Sequence, residues 1–395
     1  MRALQAAWLA IALAACSPPA PERAVADSTA AVGTPVPMRH ARTFRVVERD
    51  GYRIVDLKAS IVNWGGGAKG PEQHARIVLV PRGMPAPALT GDLAGATRVE
   101  VPLQRIAVNY APFEAMAVAL GVQDRLVAVG GVKSWDDGIR ARARAGKLAQ
   151  IGYGWHSPPE LDALVAARPD ALLMSMGDLG HAQHMDRIRS LGIAVVPAFL
   201  EAEPDYMGKV DYVRLFGMLV GKEAEADAYV ADVQARVDAL KAVAAAQPQK
   251  TAISAWFAGG DRWMATIRNA DAQLLRDANG RNPLQVPDDP RQDAFQRIST
   301  ERLLRRGRDA DCWILRDTHS RPFTNVGTLR LFKAYRDGCL FASDGMRKPE
   351  ADAYDFYETA VIRPDLILED LVGMLHPSLR DGEFLYIRPD TQVAK

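Results

Sequence analysis

The chain has 395 residues, which exceeds the size of one ordinary hydrophobic core and predicts two domains. Its composition is globular, with 48% hydrophobic and 25% charged residues. Because 49 basic side chains nearly balance 48 acidic ones, the formal net charge is only +1, which argues against a nucleic-acid-binding surface or an acidic tail.

The N-terminus has the layout of a signal peptide rather than of a membrane-spanning helix. A basic residue at Arg2 precedes an apolar stretch, and the sequence LAAC ending at Cys16 resembles the bacterial lipobox. We therefore predict a lipoprotein signal peptide over residues 1–16, cleavage before Cys16 and diacylation of its thiol. An ordinary secretory signal with a chance cysteine is the alternative. Residues 17–38 are rich in Pro, Ala and Ser and predict a disordered tether.

Residues 39–221 have the pattern of an N-terminal α/β lobe. Asp50-Gly51 separates two stretches in which apolar and polar residues alternate, which is typical of a tight β-hairpin. From residue 105 onward, short apolar strands alternate with helical patterns. This alternation predicts a parallel sheet with helices on both faces.

Helical spacing then dominates from Asp205 to Gln247, with a break predicted near Gly217 to Gly221. Residues 222–247 contain neither Gly nor Pro and predict one long linking helix, with a lone exposed helix as the alternative. The alternation restarts in residues 248–395, which predict a C-terminal α/β lobe. The predicted fold class is therefore α/β: two Rossmann-like lobes joined by one long interdomain helix, with a ligand cleft between the lobes.

Two further cysteines, Cys312 and Cys339, lie on candidate strands of the C-terminal half. An oxidising compartment would permit a disulfide between them, and buried free thiols on neighbouring strands are the alternative. The chain has no CxxC motif and no Cys/His cluster, so neither a structural zinc site nor a redox motif is predicted. His181 and His184 share a helical face, but two ligands without a third make a weak metal site, and solvated histidines are favoured.

Successive segments of the chain resemble the class III periplasmic binding proteins, in the order that this family has them. The segments are LGVQDRLVAVG, IGYGWHSPPELDALVAARPDALLM, IRSLGIAVV, FGMLVGKEAEADAYV, LLRDANG, ISTERLLRRGRDADCWIL, FKAYRDGCLF and PDLILEDLVGMLHP. The resemblance covers residues 100–380. It implies a protein that binds a ferric siderophore, haem or cobalamin and delivers it to an ABC importer. Residues 39–100 are additional strands, and whether they extend the first lobe's sheet or form a separate module stays open.

The resemblance also implies two positions for docking on the importer. Glu160 and Glu301 occupy matching places at helix starts in the two lobes, where family members pair carboxylates with arginines of the two permease subunits. Glu114 is a third candidate. The alternative is local, since a carboxylate is favourable at any helix N-terminus and Ser299-Thr300-Glu301 also suits plain capping.

Aromatic and basic residues near predicted strand ends are the candidate ligand contacts. Aromatic faces suit planar or catecholate ligands by stacking, and arginine suits anionic oxygens through charge-assisted hydrogen bonds. Ordinary core packing is the alternative for any single tryptophan. The candidates are Tyr110, Trp135, Tyr153, Trp155 and His156 in the first lobe, and Trp256, Arg262, Trp263, Arg316 and His319 in the second.

The motifs GxSxG, HExxH and GxxxxGK[ST] are absent from the sequence, so we expect no enzymatic activity. The sequence as a whole predicts a monomeric solute-binding protein, lipid-anchored on the periplasmic face of a bacterial membrane. It would deliver an iron chelate, as cargo and not as an intrinsic cofactor, to the permease dimer and ATPase of an ABC importer. Haem or cobalamin is the alternative cargo, and ligand storage or sensing without an importer is the alternative role. Whether the inner or the outer membrane holds the anchor stays open.

Overall fold

The computed structural model describes residues 31–62, 69–154, 158–177, 180–286, 294–315, 326–380 and 382–390. In these ranges the chain is a mixed α/β protein built around three main sheets. None of the helices described is both long and apolar enough to span a membrane. The signal peptide, Cys16 and residues 17–30 of the predicted tether lie outside the described residues. Residues 31–38 are described and include a strand at Thr34–Val36, so the prediction of a disordered tether is wrong for this part of the chain.

The first sheet has five strands that lie side by side in chain order. They are β1 (Thr34–Val36), β2 (Phe44–Arg49), β3 (Tyr52–Val62), β4 (Lys69–Pro81) and β5 (Thr97–Val101). Asp50 and Gly51 connect β2 to β3 with φ angles of 52° and 80°, and positive φ at both positions is what a two-residue type I′ turn requires. The predicted hairpin is therefore confirmed.

The second sheet is parallel and has the strand order β10-β9-β6-β7-β8. Its strands are β6 (Ile106–Val108), β7 (Leu126–Val129), β8 (Ala149–Gln150), β9 (Ala171–Ser175) and β10 (Ala194–Ala198). The helices between them are α1 (Ala111–Ala119), α2 (Asp137–Arg144), α3 (Leu161–Ala167) and α4 (His181–Ser190). We call this sheet and its helices the N-terminal lobe.

The additional strands before residue 105 form a module of their own. Among the described residues, no strand of the first sheet pairs with a strand of the second. The two sheets nevertheless share one apolar core, in which Phe44 and Leu57 of the first sheet are buried together with Leu172 of the second. The first sheet is therefore a separate layer that packs on the N-terminal lobe.

Two consecutive helices follow the second sheet. They are α5 (Tyr206–Val220) and α6 (Glu223–Ala245). The break between them is at Gly221, which caps α5 with a left-handed backbone at φ 68°, where glycine is favoured. The helix predicted for residues 222–247 thus spans Glu223–Ala245. It packs against α5 and against the last long helix of the chain, Pro364–Leu375.

The third sheet has the strand order β14-β12-β11-β15-β16-β19, with β13 beside β11. Its strands are β11 (Lys250–Gly259), β12 (Arg262–Thr266), β13 (Gly280–Arg281), β14 (Phe295–Ser299), β15 (Cys312–Leu315), β16 (Leu340–Ala342) and β19 (Arg388–Pro389). A small hairpin of β17 (Arg347–Lys348) and β18 (Ala353–Tyr354) follows β16. The helices are α7 (Ala270–Asp277), α8 (Thr300–Gly307), α9 (Val326–Leu329), α10 (Lys333–Arg336), α11 (Thr359–Ile362) and α12 (Pro364–Leu375). This sheet and its helices form the C-terminal lobe.

A disulfide joins Cys312 and Cys339, whose Cα atoms are 4.8 Å apart. Cys312 begins β15 and Cys339 directly precedes β16, and these two strands are parallel neighbours. The alternative that the sequence left open is thereby resolved in favour of the bridge.

Candidate functional site

The carboxyl ends of the strands in the N-terminal lobe bring several polar side chains to one edge of the second sheet. Tyr110 follows β6, and its hydroxyl donates a hydrogen bond to Glu201, which follows β10. Burial raises the pKa of Tyr110 well above its ordinary value, and the negative charge of Glu201 raises it further. Tyr110 therefore stays neutral and is held in place by Glu201.

Tyr153, after β8, packs into its own lobe. Its ring lies against Gly130 and Gly131, and a Cβ atom on Gly130 would overlap the ring, which explains why two glycines follow β7. The Tyr153 hydroxyl accepts a hydrogen bond of 2.9 Å from the backbone N–H of Lys133. The residue is only 9% exposed. Tyr153 therefore supports the loop after β7 and has little exposed surface for a ligand.

Trp135 contacts the C-terminal lobe. Its backbone N–H points at both carboxylate oxygens of Glu358, at 3.0 and 2.9 Å. The ammonium of Lys348 lies 4.2 Å from the centre of the Trp135 ring and donates to the Trp135 carbonyl at 2.9 Å and to Asp137 at 2.7 Å. Lys133 also forms an ion pair with Asp352. We call these six residues the interlobe contact.

The candidates of the C-terminal lobe differ strongly in exposure. Trp256 is half-buried and packs edge-on against Phe295, with ring centres 5.5 Å apart. The Arg262 side chain is 66% exposed and lies 3.5 Å from the carboxylate of Asp261. Both positions therefore leave surface for a ligand.

Trp263 is the exception, and its prediction as a ligand contact is wrong. The residue is 0% exposed, and its ring packs against Trp313 in the core on one face of the third sheet. Its indole N–H donates to the hydroxyl of Thr300 at 3.0 Å. Side chains alternate between the faces of a strand, so Trp263 and its neighbour Arg262 point in opposite directions.

Four candidates, Trp155, His156, Arg316 and His319, lie outside the described residues. His181 and His184 both fall on α4, but His181 is 2% exposed, so the expectation of a solvated histidine is wrong there. Within the described ranges, no group of three or more His, Cys, Asp or Glu side chains is placed to hold a metal ion.

Glu160 and Glu301 are both exposed at the start of a helix. Glu160 directly precedes α3, and its backbone N–H donates to Ile151 at 2.9 Å, which ties the helix start to the end of β8. Glu301 lies in the first turn of α8, where the Ser299 hydroxyl already caps the helix by accepting from Arg302. In the described part of the chain neither carboxylate has a hydrogen bond or an ion pair, so both are available to a partner.

Glu114 differs from these two, and its prediction as a third docking residue is wrong. It lies in the first turn of α1 but is only 1% exposed. Burial raises its pKa from the ordinary 4.5 to about 7, because contact with Ser134 and the backbone of Gly130 offsets the lost hydration only in part. Glu114 cannot reach an external partner.

Glu358 and Lys348 are polar interlobe residues that the sequence did not single out. Glu358 is 5% exposed, and burial together with the charge of Glu114 raises its pKa well above the ordinary range. The sequence DFYETA around Glu358 predicts a helix start, but nothing in it indicates that Glu358 is buried by the other lobe. Only the tertiary arrangement identifies these residues.

A small cavity of about 20 Å³ lies in the C-terminal lobe, between the third sheet and helices α7 and α12. Its lining includes the polar side chains of Ser254, Thr266, Asn282 and Ser343. That volume holds about one water molecule. It is far too small for an organic chelate.

A model of the family described as "periplasmic binding protein" matches residues 106–331, which is more than half of the chain. Two uncharacterized lipoproteins of Methanocaldococcus jannaschii are also similar. One is 23% identical and covers 72% of this chain and 68% of its own length, and the other is 24% identical and covers 88% and 84%.

Solved structures share the fold at low sequence identity. A periplasmic heme-binding protein from Pseudomonas aeruginosa superposes with a TM-score of 0.55 at 20% identity, covering 73% of this chain and 99% of that one. The periplasmic vitamin B12-binding protein of Vibrio cholerae gives 0.53 at 13% identity, covering 71% and 99%. These matches support the predicted two-lobed α/β architecture.

Proposed function

The chain belongs to the periplasmic binding protein family, and we propose that it captures an iron chelate outside the cytoplasm and delivers it to an ABC importer. The family is one of binding proteins, in agreement with the expectation that the chain is not an enzyme. Energy for transport would come from the ATPase of the importer.

The arrangement of the lobes supports capture in a cleft. The interlobe contact joins the segment after β7 to the segment after β16, so the carboxyl edges of the second and third sheets face each other. Ligands of open α/β sheets bind at this edge. Because α6 packs both against α5, which follows the second sheet, and against α12 of the C-terminal lobe, we expect only modest closure on the cargo.

One observation supports delivery to an importer: Glu160 of the N-terminal lobe and Glu301 of the C-terminal lobe are both exposed at the start of a helix, and neither has a partner among the described residues. A dimeric permease with one arginine-bearing surface in each subunit would match this arrangement. The resemblance to class III binding proteins gives both residues that role.

The cargo class follows from the neighbours and from the cleft. Structures with this fold come from proteins named for binding heme and vitamin B12, which makes these the alternative cargoes. Trp256 offers a half-buried aromatic face and Arg262 an exposed cation on the same lobe, which suits a catecholate or carboxylate chelate. Tyr110 and Glu201 would contribute a polar floor from the N-terminal lobe.

The two relatives named lipoproteins support anchoring through Cys16. We propose that the protein acts as a monomer on the periplasmic face of the membrane and that the lipid is its only attachment.

The test is a titration of the intrinsic tryptophan fluorescence of the purified protein with ferric catecholate, hydroxamate and citrate complexes, haem and cobalamin. Saturable quenching by one class at submicromolar concentration supports the proposal and identifies the cargo. Trp256→Ala should then weaken the affinity at least tenfold, and Trp135→Phe, which keeps an aromatic ring in the interlobe contact, should change it little. Absence of saturable quenching by every compound, confirmed by calorimetry, would overturn the cargo assignment.

A further inference from the structure

Two buried carboxylates bind four consecutive backbone N–H groups at the entry to the first sheet. In residues 40–43, the first two N–H groups donate to Asp211 of α5 at 2.7 and 2.9 Å, and the last two donate to Glu203 at 3.0 and 2.9 Å. Asp211 is 0% exposed and Glu203 is 3% exposed. Because buried charges require hydrogen-bonding partners, the chain that enters the first sheet is fixed to residues that follow the second sheet.

The hydroxyl of Thr43 extends this clamp to residues 199–203, which follow β10. It donates to Glu203 at 2.6 Å and accepts the hydroxyl of Tyr212 at 2.6 Å. The Tyr212 hydroxyl in turn accepts the backbone N–H of Phe199 at 3.0 Å. Each hydroxyl donates its single proton once along this chain of hydrogen bonds. Both ends of residues 199–203 are thereby tied to one hydroxyl group.

Glu201 lies in the middle of this short segment and extends to the carboxyl edge of the second sheet. Its carboxylate accepts the hydroxyl of Tyr110 and lies 3.5 Å from the ammonium of Lys209. A single 3₁₀ turn, Leu200–Ala202, connects the two fixed ends. A displacement of either end would therefore move Glu201 relative to Tyr110.

Gly208 of α5 belongs to the same arrangement. A Cβ atom at this position would lie 2.6 Å from Oε2 of Glu203 and 3.3 Å from the carbonyl oxygen of His40. Its φ angle is not positive, so the close approach of these two groups, and not the backbone conformation, accounts for the glycine. The sequence thus leaves room for the Glu203 carboxylate beside α5.

We infer that Thr43 is a positioning residue, through which the first sheet holds Glu201 against Tyr110 at the cleft. Thr43 acts through Tyr212 and Glu203, and it lies outside residues 106–331, which match the periplasmic binding protein model. The additional sheet then serves the cargo site by supporting its polar floor. The inference rests on the proposed function in that Tyr110 and Glu201 are taken to face the cargo.

Fluorine NMR of the purified, cargo-free protein labelled with 3-fluorotyrosine tests the positioning. The fluorine signal of Tyr110, assigned with Tyr110→Phe, responds to a change in the hydrogen bond between its hydroxyl and Glu201. Thr43→Val removes the clamping hydroxyl at a similar side-chain volume. We expect it to shift the Tyr110 signal toward the position found in Glu201→Gln. Thr43→Ser keeps the hydroxyl and should leave the signal where it is in the unsubstituted protein.

Two further variants separate positioning from a general loss of stability. Thr251→Val deletes a hydroxyl that donates to a carboxylate at 2.8 Å in the C-terminal lobe, and it should leave the Tyr110 signal unchanged. Gly208→Ala displaces the Glu203 carboxylate from another side and should shift the signal. No shift in Thr43→Val, or in Gly208→Ala if Thr43→Val fails to fold, would overturn the inference. An equal shift in Thr251→Val would also overturn it.

The consequence for the cargo is measured separately, with a ferric catecholate complex as the probe. Thr43→Val should weaken its affinity about fivefold, the effect of one hydrogen bond. Thr43→Ser and Thr251→Val should bind as the unsubstituted protein does. A shifted Tyr110 signal with unchanged affinity would overturn the link to the cargo site. If the unsubstituted protein does not bind the probe, that result counts against the proposed function, and the fluorine signal still decides whether Thr43 positions Glu201.

Discussion

Four glutamates stand at helix starts in two very different regions. Glu160 and Glu301 are exposed and have no partner in the part of the chain that the structure describes, whereas Glu114 and Glu358 are buried. The same local rule favours all four, because a carboxylate complements the positive end of a helix. The helix start therefore explains why a glutamate is favourable at each position. Whether the rest of the chain buries the side chain determines which contacts the glutamate can make.

The largest expected effect is on transport and comes from Glu160 and Glu301. Reversing both charges in Glu160→Arg/Glu301→Arg would set cations against the arginines of a permease, and like-charge contacts cost several kcal/mol. We expect cargo uptake by cells to fall about a hundredfold or more, with unchanged cargo affinity in the purified protein. Glu383→Arg is the matched control and should transport normally. Normal uptake by the double variant would favour the alternative role in storage or sensing.

Next in size is the pH dependence of stability that comes from the buried Glu114. Since the folded-state pKa of Glu114 is raised from 4.5 to about 7, the folded protein binds more protons than the unfolded chain in this range, and its stability falls as pH rises from about 4.5 to about 7. Relative to the unsubstituted protein, Glu114→Gln should gain on the order of 2 kcal/mol between pH 5 and pH 8. Urea unfolding at both pH values measures this difference, and equal differences at the two values would contradict it.

Removing the cation of the interlobe contact should have a smaller effect. Lys348→Ala deletes the cation–π contact with Trp135 and the hydrogen bond to its carbonyl, while leaving the two buried carboxyls in place. We expect a loss of about 1–2 kcal/mol in the free energy of unfolding. Lys147→Ala removes an exposed lysine of the N-terminal lobe and should change stability by less than about 0.5 kcal/mol. A Lys348→Ala protein as stable as that control would show that the contact is not energetically important.

The smallest expected effect is on stability and comes from neutralising the two exposed glutamates. Glu160→Gln changes a residue whose side chain makes no capping hydrogen bond to α3, and Glu301→Gln leaves the Ser299 cap of α8 in place. Each should alter the free energy of unfolding by less than about 0.5 kcal/mol at any pH. Thermal unfolding at pH 5 and pH 8 checks this, and a pH-dependent change would mean that the charge of Glu160 or Glu301 contributes to the stability of the fold.

Much of the fold could be predicted because its signals are local. Asp50-Gly51 marks its hairpin through the backbone that glycine permits, Gly221 marks the end of α5, and the absence of Gly and Pro over residues 222–247 marks the linking helix. The sequence leaves open whether the first sheet is separate, because strand pairing depends on partners that are distant in sequence.

The site was harder to predict because the same residue types serve ligands and packing. Tyr153 and Trp263 were candidates by type and position, yet one fills the space over Gly130 and the other the core beside Trp313. Glu358 gave no sequence signal, since its importance comes from Trp135 in the opposite lobe. Interlobe residues are defined by which surfaces meet, and that information is spread over the whole chain.

Because of the disulfide between Cys312 and Cys339, the covalent form of this protein depends on whether the compartment in which it folds is oxidising or reducing. A chain produced in a reducing cytosol would fold with two thiols at the adjoining starts of β15 and β16, and a disulfide of this kind typically contributes about 2–4 kcal/mol. Recombinant material from the cytosol and from an oxidising compartment would therefore be two different molecules. A protease cut between the two cysteines would leave the fragments linked in the oxidised form and separate them in the reduced one.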